Sequence, residues 1–180
     1  MKYLALIAVI LIGILSACSN PSDPNYDNDY NNIKNLGIKE AVALANDWKF
    51  SKKEIISFIT PKELTITFPD GRKVVTALPD DEMYVAVAPW INYTHSCSVH
   101  YLSSCQGELE NKIFEISVKE KSDNLIFEGP VTSMKNGFFE LWLPRDLELV
   151  VDISYDGKTA GIVLLTDNSC NTCFTEARLK

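Results

Sequence analysis

The chain carries two histidines among its 180 residues, and both lie within three positions of one cysteine, in Thr94-His95-Ser96-Cys97-Ser98-Val99-His100. Cys105 follows on the same stretch, and a further pair stands in Cys170-Asn171-Thr172-Cys173. Random placement rarely gathers so scarce a residue type around one thiol, so the spacing points to a site. Thiolate is a soft donor and imidazole a borderline one, the ligand types that late first-row metals prefer, copper above all. Cu(I) is satisfied by a few soft donors, whereas structural Zn(II) takes a tetrahedral four. Cys97 and Cys105, with His95 or His100, supply such a set from one loop. A β-fold that brings distant strand ends together adds Cys173 and Cys170, so all four thiols are expected to converge on Cu(I).

The same residues have a plainer reading. An even number of thiols in an oxidising compartment reads as disulfides, here Cys97–Cys105 stapling a loop and Cys170–Cys173 closing a local ring. The histidines would then be loop residues bonded to backbone. The two states are compatible, because reversible oxidation switches a thiolate site off. Cys170-x-x-Cys173 also has the spacing of a redox pair, but it lacks the βαβ context and helix N-terminus that activate one. The alternative activity for these cysteines is a thiol–disulfide oxidoreductase or a cupric reductase. Methionine occurs only at Met1, Met83 and Met134, which excludes a methionine-rich copper carrier.

The compartment follows from the first residues. Lys2 precedes an apolar run from Tyr3 to Leu15 that is short for a membrane span. It ends in Leu15-Ser16-Ala17-Cys18, the pattern of a lipoprotein signal peptide over residues 1–17 with lipid attached to Cys18. The expected location is a bacterial membrane surface, facing the periplasm or the exterior. A net charge of −7 argues against nucleic acid or anionic lipid headgroups as partners.

The positioning elements are read from periodicity. Residues 18–32, rich in Asn, Asp, Pro and Ser, read as a flexible tether. Residues 33–60 read as a helical segment. Ile38, Ala41, Val42, Ala45 and Trp48 mark one helix face, and the capping box Ser51-x-x-Glu54 opens a second helix burying Ile55, Phe58 and Ile59. Its apolar face must pack on the next domain or on a second copy. Residues 61–180 read as a β-rich metal-binding domain of short alternating strands. Its turns include Asp70-Gly71, Asn136-Gly137 and Asp156-Gly157. The fold class is α+β: a short N-terminal helical segment, then an antiparallel β-sandwich or open barrel.

Several segments together resemble the CueP family of periplasmic copper-binding proteins. They are Ala88-Pro89-Trp90, the block from Thr94 through Cys105-x-Gly107-Glu108-Leu109, Asn136-Gly137-Phe138-x-x-Leu141-Trp142-Leu143-Pro144-Arg145-Asp146, and Cys173-x-Thr175-x-x-Arg178-Leu179. The resemblance runs from Leu36 to Leu179. It implies envelope copper sequestration that supports copper tolerance or delivery to an exported client protein. It also implies Cys97, Cys105 and Cys173 as Cu(I) ligands, thiol redox chemistry, and a homodimer through the N-terminal helices. The sequence departs from the family pattern in the additional thiol of Cys170 and in the lipid attachment signal.

Overall fold

A computed structural model describes residues 26–52 and 54–180. The signal peptide, Cys18 and the first part of the tether lie outside the described residues. Among the described residues two helices come first, α1 (Asp27–Ile33) and α2 (Ile38–Ser51). Ten strands follow: β1 (Ile56–Ile59), β2 (Glu63–Thr67), β3 (Lys73–Ala77), β4 (Glu82–Val87), β5 (Ile113–Glu120), β6 (Leu125–Thr132), β7 (Phe139–Pro144), β8 (Glu148–Tyr155), β9 (Lys158–Leu165) and β10 (Cys173–Phe174). They form three sheets, ordered β1-β2-β3, β10-β4-β7 and β6-β5-β8-β9. All pairings are antiparallel except β10 with β4. The expected α+β class holds, with open sheets and no closed barrel.

β4 is the spine of the molecule. Its sequence Met83-Tyr84-Val85-Ala86-Val87 is apolar on both faces and fully buried, as a strand covered from two sides must be. Tyr84, Ala86 and Ala88 face one core, shared with the helices and the β1-β2-β3 sheet. Val85 and Val87 face a second core, shared with β5, β8 and β9. The two-residue strand β10 obeys the same alternation: Cys173 enters the first core and Phe174 the second. Pleat direction alone therefore sends the Cys173 sulfur toward the helical side.

Two expectations at the N-terminus are corrected. The segment read as tether contains α1, and Tyr26 just before it lies with Tyr30 and Ile33 on one buried face. Tyr26 and Tyr30 meet the Phe68 ring edge-on at centroid distances of 5.9 and 5.7 Å. Polar composition hid this face, because the apolar work is done by two tyrosines and one isoleucine. The second helix, expected after Ser51, is instead strand β1. Ile55, Phe58 and Ile59 fit a helical period, but the buried positions are Ile55, Ser57 and Ile59, a period of two. Ser57 disguises it, and the residue is satisfied there by exchange with Ser103: its amide donates to Ser103 Oγ at 3.2 Å. The apolar face of α2 (Ala41, Val42, Ala45, Trp48) packs on Leu64, Ile66 and Phe68 of the same chain, the first of the two options open to it. No helix among the described residues is long and apolar enough to cross a membrane.

Candidate metal centre

Between β4 and β5 the chain leaves regular structure, and this loop carries both histidines and two cysteines. It is fastened on two sides. The amide of Ile59 in β1 donates to the carbonyl of His100 at 2.9 Å. On the other side, the amides of Thr172 and Cys173 donate to the carbonyl of Ser98 at 3.0 and 3.3 Å. Thr172 locks the corner: its hydroxyl accepts from the His100 amide at 3.0 Å and donates to the Ile59 carbonyl at 2.6 Å. Further along, a tight turn returns the Cys105 amide to the Tyr101 carbonyl at 2.8 Å. Gly107 then lies against Gly137, so closely that a Cβ on Gly107 would meet the Gly137 carbonyl oxygen at 2.8 Å. The family segments around Gly107 and Gly137 thus hold each other in register and set the height of Cys105.

The loop brings together sulfurs distant in sequence. Cys97 and Cys173, 76 residues apart, form a disulfide with Cα atoms 5.6 Å apart. This corrects both expected pairings, Cys97–Cys105 and Cys170–Cys173. Spacing along the chain favoured the local pairs, whereas the β10–β4 pairing delivers Cys173 to Cys97. Cys105 is a free thiol whose sulfur lies 3.6 Å from that of Cys97. Two donor groups result, each with ligand atoms within 4.8 Å of one another: His95, Cys97 and Cys105, all half-buried, and His100, Cys105 and Cys173, of which His100 and Cys173 are buried. Cys105 belongs to both. Cys170 belongs to neither, which corrects the expectation of four converging thiols. It lines a shallow cleft with Val163, Leu165 and Phe174, on the face of β10 opposite Cys173.

His100 is the unusual member. It is wholly buried, and neither ring nitrogen has a hydrogen-bond partner among the described residues. Its ring lies against Phe138, centroids 4.6 Å apart, and near Tyr84. Burial pushes its pKa down to about 3, with the charges of Lys49 and His95 adding to the effect, so the ring is neutral near pH 7. A buried imidazole without partners is costly unless something else completes it. A neutral ring nitrogen facing two sulfurs is also the state that a metal needs. His95, by contrast, lines an open cleft with Ser104, Cys105 and Gln106.

Two residues that the sequence did not single out shape the electrostatics. Lys49, in the last turn of α2, donates to the Cys105 carbonyl and to Gln106 Oε1. Burial pushes the Cys105 thiol up, while the Tyr101 amide and the Lys49 charge pull it down. Behind His100, Tyr84 and Asn46 both donate to Glu140, whose pKa burial raises to about 7 against those two bonds. Thr172 could have been noticed as the neighbour of Cys173, but nothing in the sequence links Lys49 to Cys105.

Residues 42–178 match the family model of the periplasmic copper-binding protein CueP. The chain belongs to the CueP family. The crystal structure of S.CueP matches with a TM-score of 0.78 and 31% sequence identity, over 84% of this chain and 94% of that one. No curated protein matches. The segments that carry the CueP resemblance are also partners in space. Trp90 bridges Arg178, whose guanidinium lies 4.9 Å from the Trp90 ring centroid, and Trp142 packs edge-on against Tyr84. Arg145 ties Pro61 and Pro79 through their carbonyls. Those residues frame the centre rather than line it.

Proposed function

We propose that this protein sequesters Cu(I) in the cell envelope, contributing to copper tolerance or to delivery toward an exported client. The reduced thiolates of Cys97, Cys105 and Cys173 hold the ion, and His95 and His100 assist. The observation that carries the reading is the unpartnered His100 ring, buried within 4.8 Å of the Cys105 and Cys173 sulfurs in a chain of the CueP family. Copper is the cargo, and its capture requires the Cys97–Cys173 disulfide to be open, since a disulfide sulfur is not a thiolate donor. Cys170, the auxiliary thiol, stands outside both donor groups. The test is a Cu(I) titration of the reduced chain against a chromogenic chelator. About one tightly held Cu(I) is expected, with Cys97→Ser and Cys105→Ser each weakening it strongly. Full affinity in both variants removes the assignment.

The second reading is redox. Cys105 lies 3.6 Å from a disulfide sulfur, a position suited to thiol–disulfide exchange. As a cupric reductase, the Cys97/Cys173 dithiol would give one electron to each of two Cu(II) ions, release two protons and close its disulfide. Turnover then requires an external thiol. Reduction of Cu(II) or of a disulfide beyond the protein's own thiol equivalents selects this reading. The lipid on Cys18 is a further part of the proposal, tested by labelling with a fatty acid and losing the label in Cys18→Ser. One face of α2 is covered within the chain, so a homodimer through the N-terminal helices is expected on surfaces such as the exposed flank of α2 around Phe50. Sedimentation of the reduced and oxidised chain decides it.

A further inference from the structure

The two donor groups share one sulfur and differ in depth. His95, Cys97 and Cys105 are half-buried, and His95 and Cys105 line an open cleft. His100 and Cys173 are fully buried in the first core, with Cys105 completing their group. Both histidines lie beside the same ring, Phe138, with centroid distances of 6.3 Å for His95 and 4.6 Å for His100. An ion arriving from solvent meets the first group before the second, and Cys105 need not let go for the others to change. We propose that the reduced protein loads copper in two steps: Cu(I) is received by His95, Cys97 and Cys105, then moves inward, held by both sulfurs, as Cys173 joins and His100 takes the place of His95. His95 is the entry ligand and His100 the retaining one.

The step is a ligand exchange. Cys97 and Cys105 release their protons to solvent as the ion arrives, Cys173 releases its own as it joins them, neutral His100 displaces neutral His95, and copper stays Cu(I) throughout. The unpartnered His100 nitrogens supply the asymmetry. No polar group among the described residues meets them, so an inner ion satisfies a buried group that an outer ion leaves orphaned. His95 faces an open cleft and has no such deficit. This inference rests on the Cu(I) reading of the site, so its test must separate the two.

The full chain, reduced and handled without oxygen, is mixed with Cu(I) in acetonitrile, and the thiolate-to-copper absorption is followed in a stopped-flow instrument. Equilibrium affinity is measured in parallel against bathocuproine. His95→Ala is expected to slow loading by about tenfold or more while leaving the dissociation constant within about threefold. His100→Phe, which keeps a ring in the core, is expected to load at the normal rate, to weaken affinity by about tenfold or more, and to release copper correspondingly faster. X-ray absorption of the loaded protein should lose its nitrogen ligand in His100→Phe and keep it in His95→Ala. If both variants alter the same quantity, or neither alters either, the division of roles is overturned. If the reduced wild-type chain fails to bind Cu(I) at all, the proposed function falls with it.

Discussion

Thr172 and His100 are joined through the hydroxyl of one and the backbone amide of the other, at 3.0 Å, in a place where neither side chain meets water. The same hydroxyl donates to Ile59 at 2.6 Å, so one oxygen ties β1, the histidine–cysteine loop and the residue before Cys173. The geometry of three sulfurs and a histidine therefore depends on a residue that is itself no ligand. Thr172→Val keeps the shape and removes both bonds, leaving a buried donor and a buried acceptor unpaired. Such a loss costs about 1–3 kcal/mol. Denaturant unfolding should give that decrease, and the reduced variant should bind Cu(I) more weakly although every donor is present. Unchanged stability would contradict the role given to Thr172.

Opening the disulfide should have a measurable cost. The Cys97–Cys173 bond closes a separation of 76 residues, and restricting a loop of that size stabilises the fold by about 4 kcal/mol on the chain-entropy account. The reduced protein should melt several degrees lower than the oxidised one, and Cu(I) bound only by the native reduced state should restore much of the difference. Calorimetry of oxidised, reduced and copper-loaded protein checks the order. A reduced form as stable as the oxidised one would argue against this account.

Lys49 should govern how readily Cys105 ionises. Its charge opposes the upward push of burial on that thiol, so Lys49→Met should move the thiol further up and slow its alkylation near neutral pH by several-fold, about the effect expected from removing one nearby cation. Lys49→Arg should keep most of the reactivity. The measurement is the pH profile of iodoacetamide labelling in oxidised protein carrying Cys170→Ser, where Cys105 is the free thiol of the centre. An unmoved profile in Lys49→Met dismisses the electrostatic role.

Two buried groups give opposite dependences of stability on pH. Glu140, raised from 4.5 to about 7, binds its proton more tightly when folded, so its contribution is lost as pH rises through that window. His100, lowered from 6.5 to about 3, resists protonation when folded, so its contribution is lost as pH falls from 6.5 toward 3. The windows overlap and the slopes partly cancel. Glu140→Gln keeps an acceptor for Tyr84 and Asn46 and removes the first slope. It should match the wild type at low pH and exceed it by about 3 kcal/mol above a pH of about 7. A difference independent of pH would remove Glu140 as the titrating group.

Much of this was legible in the residues themselves. The β-hairpin at Asp70-Gly71 and the helix face of α2 announced themselves through turn chemistry and period, because local physics decides them. The clustering of His95, Cys97 and His100 marked the centre. What stayed hidden was tertiary. Ser57 occupies a buried strand position usually held by an apolar residue, and so strand β1 read as a helix. Tyr26 and Tyr30 gave α1 a face within a polar stretch. Strand β10 is only two residues long, too short to carry a period, yet its parallel pairing with β4 sends Cys173 inward and leaves Cys170 on the other side. Disulfide partners followed that pairing and not sequence proximity.

The long separation of Cys97 from its partner has a consequence for biogenesis. A chain threaded through a translocon N-terminus first presents Cys97 and Cys105 together, while Cys173 is still on the far side. Their sulfurs are near neighbours in the finished fold, and during emergence each is the other's first available mate. An oxidant acting at that moment captures the wrong couple. The native bond can close only after the β10–β4 pairing has carried Cys173 to Cys97, so the oxidation of this centre waits on the fold of the whole β-rich part.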